Sequence, residues 1–342
     1  MRLLRRLRRG WERLGILPPA IILAYHRVAD LIADPQMLAV SPRHFAEQLE
    51  VLRRYYHPLS LNALRCALRR QQWGRRSVVV TFDDGYADNL YQAKPRLETA
   101  AVPATVFVTA GKINSWREFW WDALESLFLT GAPLPSELKL VIAGQARHWY
   151  LPDEPVAAPP AGSWHVLMHE VLPTPRQALY LELAEAIHEL DHDEREAVLD
   201  RLFCWAGQSR QARPTHQALS TSELCELASG GLVEVGAHTM THPVLTRLTL
   251  EQQQSEIIKS KQTLEAKLGA PVTSFAYPFG GRAQYSKQTP RLVRAAGFTC
   301  ACSNFQGHVA FYSDPYQLPR YLVRDWDGDT FARHLEDWFA AR

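Results

Sequence analysis

Two histidines separated by three residues form the first candidate metal-binding pair in this sequence. His238 and His242 stand in the stretch HTMTH, directly after the apolar run LVEVGA at 232–237. The same spacing recurs in HVLMH at 165–169 and in HELDH at 188–192, so spacing alone does not select one pair. HTMTH differs because a strand-like run precedes it, which predicts that both imidazoles lie at the carboxyl end of a strand. Catalytic groups of β/α folds collect at that end.

Two adjacent carboxylates follow a second strand-like run. SVVVTF at 77–82 is followed by Asp83-Asp84-Gly85. One aspartate could bind a metal together with two histidines, while its neighbour accepts a proton from the attacking water. The alternative is that Asp83-Asp84-Gly85 is only a turn, because Asp and Gly are favoured in turns.

The other two histidine pairs have less favourable surroundings. His188 and His192 belong to LAEAIHELDHDEREAVLD, whose charge pattern predicts a solvated helix with both imidazoles on one face. His165 and His169 follow a proline-rich stretch, and no acidic strand end lies near them in the sequence. We therefore expect neither pair to bind a metal.

Strand-like runs alternate with helical segments, which predicts parallel β/α architecture. The strands are predicted at 20–26, 77–82, 103–109, 232–237, 272–278 and 298–302. Helix starts are predicted at Ser41-Pro42, at Ser220 with Glu223, and at Thr249 with Gln252. Residues 112–218 break the alternation with aromatic-rich, proline-rich and charged helical stretches, so we predict an insertion there. Its Trp116, Trp120 and Trp121 either stack on sugar rings or pack a helix onto the domain.

Composition excludes several classes of protein. A formal net charge of +2 at pH 7 gives no reason to expect nucleic acid as a partner. The five cysteines contain no C-x-x-C pair, so neither a disulfide framework nor a cysteine zinc site is indicated. We expect a protein of a reducing compartment that binds no nucleic acid.

A basic arm occupies residues 1–20, with six arginines against the single Glu12. Arginines interrupt the leucines, so the arm lacks the apolar core of a signal peptide, and we expect a cytoplasmic protein. The leucines and Trp11 could form one face of a short helix on an anionic membrane surface, which would make the protein membrane-peripheral. Alternatively, the arm packs its leucines on the domain.

Two of these motifs resemble those of a known family. Thr81-Phe82-Asp83-Asp84-Gly85-Tyr86 resembles the first motif of the polysaccharide deacetylases, the NodB-homology proteins of carbohydrate esterase family 4, and HTMTH resembles their second motif, H-[ST]-x-x-H. The resemblance covers the strands around 20–110 and 232–325. It implies a distorted (β/α)7 barrel of the NodB-homology type in a catalytic domain at 21–342, interrupted by the large, mostly helical insertion at 112–218.

The resemblance also implies roles for individual residues. Asp83 matches the catalytic base, and Asp84, His238 and His242 match the ligands of a divalent metal. Zinc is the default metal for such ligands, with nickel and cobalt as chemical alternatives. The stretch SFAYPFG at 274–280 resembles the third motif, R-x-P-Y, so that Tyr277, Pro278 and Phe279 would form the substrate and oxyanion site. The backbone amide of Phe279 would be the oxyanion donor.

One position departs from the family pattern. Ala276 stands where the family has an arginine that orients the base. Arg320, in LPRYLV, is our candidate substitute, because a nearby guanidinium would keep Asp83 ionised. The alternative is that Arg320 is an exposed surface residue.

A general acid is harder to assign. His26, in ILAYHRV, follows the first predicted strand and resembles the early Tyr-His of the branch that includes the PgaB and IcaB deacetylases. Histidine suits the role because its pKa lies near neutrality. His308 and His334 are competitors, and His26 could instead be a core residue at a strand end.

The expected function is metal-dependent removal of an N-acetyl, or other acyl, group from an amino sugar of a glycan or glycan precursor. The expected setting is envelope or exopolysaccharide biosynthesis. One alternative is an O-acetyl ester deacetylase, since the same site attacks esters. Another is a carbohydrate-binding protein whose catalysis has decayed, which Ala276 would explain.

Overall fold

The computed structural model describes residues 20–70, 74, 76–152, 164–168 and 172–341. The basic arm, apart from Ala20, lies outside these residues, and so does His169 of the HVLMH pair. Among the described helices, none combines the length and the hydrophobicity that a membrane span requires. All five cysteines are free thiols.

Seven strands form the main path of an eight-stranded parallel sheet. The strands of the structure are β1 (Ile21–Tyr25), β2 (Arg27–Val28), β3 (Ala39–Val40), β4 (His57–Leu59), β5 (Ser77–Phe82), β6 (Ala104–Val108), β7 (Glu137–Ile142), β8 (Gln145–Tyr150), β9 (Val233–Ala237), β10 (Ser274–Ala276), β11 (Cys300–Cys302) and β12 (Tyr321–Leu322). The central order is β11-β10-β9-β6-β5-β1-β12, with β4 beside β5. A parallel bridge from Cys302 to Leu318 joins β11 to the segment that leads into β12. The predicted distorted (β/α)7 barrel is therefore confirmed.

The side chains of β1 show why these strands are hydrophobic throughout. Ile21, Leu23 and Tyr25 belong to the large cluster that also contains helix residues, whereas Ile22 belongs to a smaller cluster with Phe107. Successive residues of a strand point to opposite faces, so both faces of β1 are covered. Every residue of β1, β5 and β6 is buried as a result.

Helices surround the sheet and begin where their capping residues predict. They are α1 (Pro42–Tyr55), α2 (Leu61–Arg70), α3 (Lys94–Ala100), α4 (Trp120–Phe128), α5 (Pro175–His188), α6 (His192–Ala206), α7 (Thr221–Ala228), α8 (Leu250–Leu268), α9 (Thr289–Ala295) and α10 (Gly328–Ala340). Ser41, Ser220 and Thr249 cap α1, α7 and α8, and each hydroxyl accepts a hydrogen bond from a backbone N–H of the first turn. The three predicted helix starts are confirmed.

The insertion has a hydrophobic core of its own. It contains the antiparallel hairpin β7–β8 and the helices α4, α5 and α6, whose apolar side chains form a separate cluster. Trp120 and Trp121 are only 8% and 6% exposed, so they pack inside the insertion, whereas Trp116 is 60% exposed. Packing, rather than an open sugar platform, thus describes Trp120 and Trp121.

One prediction for the insertion is wrong. His188 and His192 do not share a face of one helix, because His188 is the last residue of α5 and His192 the first of α6. Asp191 separates them as the N-cap of α6, and its side chain accepts a hydrogen bond from the amide of Glu194. A carboxylate at this position stabilises the start of a new helix and so competes with continuation of the old one.

Candidate metal centre and active site

The carboxyl ends of the strands bring the predicted polar residues together. Asp83 and Asp84 follow β5, and His238 follows β9. Among the residues that the structure describes, Asp84, His238 and His242 are the one group of three His, Cys, Asp or Glu side chains that could hold a metal ion. All three are buried, and their ligand atoms lie within 4.8 Å of one another.

Asp83, Asp84 and Gly85 do form a tight turn. The Gly85 amide donates to the Asp83 carbonyl (3.0 Å), and Asp84 and Gly85 have φ of +75° and +84°. A Cβ at Gly85 would lie 2.9 Å from Cγ1 of Val108, so the position requires glycine. The turn is compatible with a metal site, because it directs the two carboxylates to different partners. Asp84 faces the two histidines, and Asp83 faces Arg320.

His238 is oriented by a hydrogen bond from the barrel. Its Nδ1 lies 2.8 Å from the carbonyl oxygen of Ala276, which can only accept, so we assign the proton to Nδ1. Nε2 then carries the lone pair, and it lies 3.6 Å from Oδ1 of Asp84. A backbone carbonyl that fixes the tautomer in this way is the usual support of a metal-binding histidine.

His242 is held differently, by aromatic side chains. Its Nε2 lies 3.4 Å from Oδ1 of Asp84, while its Nδ1 is buried without a hydrogen-bond partner in the described structure. The imidazole lies edge-on to Trp121 and Phe279, with ring centroids 5.0 and 4.7 Å away. The Phe119 ring is farther away, at 6.4 Å.

These residues fit a divalent metal ion. Oδ1 of Asp84 is buried and accepts no hydrogen bond in the described structure, although two imidazole nitrogens face it. Burial, together with the Asp83 and Asp122 carboxylates, raises the pKa of Asp84 well above its usual value. A bound cation would supply the positive charge that ionised Asp84 requires. Two neutral imidazoles and one carboxylate match a catalytic zinc site that keeps a coordination position open.

Asp83 forms a bidentate ion pair with Arg320. Nη1 and Nη2 of Arg320 donate to Oδ1 and Oδ2 of Asp83 over 2.7 and 2.6 Å. Burial favours the neutral acid, but the Arg320 guanidinium outweighs it and holds the pKa of Asp83 well below its usual range. Arg320 also donates from Nε to the Ser303 carbonyl (2.7 Å) and from Nη1 to the Thr81 hydroxyl (3.2 Å). It is 0% exposed, so the alternative of a surface arginine is wrong.

His26 lies close enough to this ion pair for the charges of Asp83 and Arg320 to affect its pKa. Burial lowers the pKa of His26 to about 4, against the opposing effect of Asp83, so the imidazole is neutral near pH 7. Its Nδ1 is buried without a hydrogen-bond partner among the described residues. The competitors are engaged elsewhere, since Nε2 of His308 contacts the Trp338 carbonyl at 2.6 Å and His334 stacks on Trp326.

The third motif places the Phe279 ring beside His242 of the candidate metal site. Phe279 has φ of +58° at the centre of a γ-turn, in which the Gly280 amide donates to the Pro278 carbonyl (2.6 Å). The Phe279 amide donates to no acceptor in the described structure, and the Phe279 ring contacts His242. Its N–H is therefore free to meet a ligand. Strained backbone of this kind is common at functional sites.

Tyr277 does not take part in the substrate site. Its side chain is fully buried, its hydroxyl donates to the Tyr316 carbonyl (2.8 Å), and its ring stacks on Tyr285 at 4.1 Å. The expectation that Tyr277 contacts substrate is wrong, because this side chain leaves β10 into the core.

Sequence reasoning missed the contribution of the insertion to the site. Besides Trp121, His188 packs on Phe279 with ring centroids 4.6 Å apart. Trp121 donates from Nε1 to the Tyr86 hydroxyl (2.8 Å), which donates to Asp122 (2.6 Å). The one signal for this contact was Tyr86, whose polar group follows the Asp-Asp-Gly turn and requires a buried partner.

Comparison with known proteins supports the same picture. A family model described as polysaccharide deacetylase matches residues 70–139 and 202–301, and leaves out 140–201 of the insertion. The chain is 27% identical over 119 residues to "Putative polysaccharide deacetylase YxkH" of Bacillus subtilis strain 168. That match spans 34% of this chain and only 41% of the relative, so the likeness covers about two fifths of the relative's length.

Solved structures share the fold. The Streptococcus pyogenes deacetylase PplD, in complex with acetate, aligns with 93% of this chain and 99% of its own at 17% identity, with a TM-score of 0.57. IcaB from Ammonifex degensii aligns with 95% of this chain and 99% of its own at 18% identity, also with a TM-score of 0.57. The family match includes the Asp83-Asp84 turn and HTMTH, and this chain therefore contains a polysaccharide deacetylase domain.

Proposed function

We propose that this protein is a metal-dependent hydrolase that removes an N-acetyl group from an amino sugar of a glycan or glycan precursor. The observation that carries the proposal is an ionised, buried carboxylate, Asp83, next to the cluster of Asp84, His238 and His242. The likeness to PplD, a deacetylase seen with acetate, and to IcaB supports an acetyl group as the part removed. Envelope or exopolysaccharide biosynthesis is the proposed setting.

The proposed chemistry divides between a base and an oxyanion donor. A divalent cation held by Asp84, His238 and His242 would act as a Lewis acid toward water and the acyl oxygen. Asp83, kept ionised by Arg320, accepts the proton of the attacking water. The free amide of Phe279 donates to the acyl oxygen as negative charge develops on it, and one such donor contributes about 3 kcal/mol.

The leaving nitrogen needs a proton, which we assign to His26. His26 is neutral near pH 7, so the proton that it delivers must come from Asp83, which has collected one from the water. Protonated Asp83 can give up this proton because Arg320 holds the pKa of Asp83 well below its usual range. Proton balance is then complete: water supplies one proton to the amine, and the remaining hydroxide becomes part of the acetic acid product.

Specificity for amide over ester is open to direct measurement. Purified protein, stripped of metal and then reloaded with zinc, cobalt or nickel, is incubated with matched N-acetylated and O-acetylated sugars, and acetate release is quantified. We expect release from N-acetylhexosamine substrates that depends on added metal. Release from the O-acetylated sugars alone would support the ester alternative, and equal release with and without metal would contradict the proposed centre.

A further inference from the structure

The loop that carries both metal-site histidines depends on a carboxylate outside the site. Glu256, in α8, accepts hydrogen bonds from the amides of Met240 and Thr241 at 2.8 and 2.9 Å, both on Oε2. Its Oε1 accepts the Thr241 hydroxyl at 2.9 Å. Three hydrogen bonds therefore converge onto one side chain from Met240 and Thr241, two of the three residues between the histidines of HTMTH.

The other side of the same loop is held by the segment that follows β6. The Ala110 amide donates to the Thr239 carbonyl (3.0 Å), and the Gly111 amide donates to the Met240 carbonyl (2.9 Å). A Cβ at Gly111 would lie 2.5 Å from the Met240 oxygen, so this approach requires glycine. Two successive peptide groups of the loop are thus hydrogen-bonded at both their N–H and C=O ends.

The loop needs this support because its backbone is strained. Thr239 and His242 have φ of +62° and +55°, in the left-handed region that residues with side chains rarely adopt. Such conformations cost on the order of 1–3 kcal/mol each and persist only where surrounding contacts impose them. Inside the loop, the Thr239 hydroxyl accepts from the His242 amide (3.1 Å) and donates to the His238 carbonyl (2.5 Å), and the remaining support comes from outside the loop.

We propose that Glu256 is a positioning residue for the metal site, acting through the loop rather than by touching metal or substrate. By fixing two of the four peptide groups between the histidines, it fixes the separation and direction of the His238 and His242 imidazoles. The helix that presents it is packed on the core through Ile257 and Ser260, which are fully buried. The inference rests on the proposed metal function of the two histidines.

The experiment compares metal affinity in three variants with that of the wild-type protein. Glu256→Ala removes the acceptor of all three hydrogen bonds, and we expect zinc affinity to fall about 10- to 100-fold, as for other outer-shell partners. Glu256→Gln should stay within about threefold of wild type, because an amide oxygen accepts both N–H groups and the amide nitrogen donates to the Thr241 hydroxyl. Zinc affinity is measured by competition with a chelator, without any assay of activity.

Glu265→Ala is the matched control on the same helix. Glu265 also accepts a backbone N–H, that of Val272 (2.9 Å), and pairs with Lys261, but it contacts no residue of the loop. We expect it to lower the thermal stability of the metal-free protein while leaving zinc affinity unchanged.

Two results would overturn the inference. Glu256→Ala with the zinc affinity of Glu265→Ala would show that Glu256 only stabilises the fold, and Glu256→Gln as weak as Glu256→Ala would show that the hydrogen bonds are not what matters. A wild-type protein that binds no zinc, cobalt or nickel would instead refute the metal centre itself, so failure of the proposed function can be told from failure of the positioning role.

Discussion

The two histidines of the candidate metal centre are held by different regions of the molecule. His238 belongs to what we call the barrel wall, the strand ends that carry Asp83, Asp84 and Ala276. There a hydrogen bond to the Ala276 carbonyl sets both the position and the tautomer of His238. His242 faces what we call the insertion wall, the rings of Trp121 and Phe119. These rings pack around the imidazole, and its Nδ1 has no acceptor in the described structure. A hydrogen bond fixes the direction of an imidazole more strictly than ring packing does. We therefore expect changes in the barrel wall to alter the catalytic rate most, and changes in the insertion wall to alter metal affinity more mildly.

The largest effect on metal binding is expected for Asp84, the candidate ligand that faces both His238 and His242. Asp84→Ala should remove the carboxylate oxygen that faces both imidazoles, and we expect loss of bound metal and of acetate release to background. His192→Ala is the control, because His192 has the histidine spacing but lies at the start of α6. Metal analysis by mass spectrometry together with acetate release provides the readout. An Asp84→Ala protein that kept stoichiometric metal would contradict the assignment of the ligand set.

A smaller but still large effect on activity is expected from Arg320, which pairs with the proposed catalytic base Asp83 in the barrel wall. Arg320→Met leaves Asp83 buried without its ion-pair partner, which costs about 3–5 kcal/mol in the free energy of unfolding. Loss of the guanidinium raises the pKa of Asp83, so the base is ionised only at higher pH. We therefore expect the acidic limb of the pH–rate profile to move to higher pH, with kcat/KM at pH 7 reduced about 100-fold.

Arg320→Lys separates charge from geometry at the same position. Lysine keeps the positive charge but cannot form two parallel hydrogen bonds to one carboxylate, so an intermediate shift of the acidic limb is expected. An unchanged pH–rate profile in Arg320→Met would show that Arg320 does not control the protonation of Asp83.

The smallest effect is expected on the insertion wall. Trp121→Leu removes the aromatic contact to His242 and should weaken zinc binding about fivefold, with a loss of about 2 kcal/mol in unfolding free energy. Trp121→Phe keeps an aromatic ring there and should bind zinc nearly as wild type does. Trp120→Leu is the matched control, because its ring is equally buried but lies near His188, with centroids 6.3 Å apart. Equal loss of zinc affinity in Trp120→Leu and Trp121→Leu would remove the distinction between the two walls.

The barrel wall could be predicted largely from the sequence. Continuous apolar runs indicate strands covered on both faces, and the rule that parallel strands end at one edge brings Asp84 next to His238. The substitution of Arg320 for the missing arginine at Ala276 was also accessible, because a buried carboxylate base requires a positive partner. That pairing removes the main reason to expect decayed catalysis.

The rest depended on contacts between distant parts of the chain. The sequence motif does not reveal which way a side chain points at the end of β10. Tyr277 was therefore assigned to the substrate site, although its side chain points into the core. The break between His188 and His192 depends on the capping of α6 by Asp191, which a helical charge pattern does not reveal. Glu256 gave no signal at all, since its partners, two backbone amides and the Thr241 hydroxyl, lie 15 and 16 residues away.

The central claim is that Asp83 is the base beside a metal centre that it does not help to bind. Its most direct test is Asp83→Asn, which keeps the size of the side chain, with zinc content and acetate release from an N-acetylated sugar measured on the same sample. We expect full zinc content and a loss of turnover of about 1000-fold or more. Near-normal turnover with zinc bound would contradict the account, and loss of zinc together with turnover would make Asp83 a ligand rather than the base.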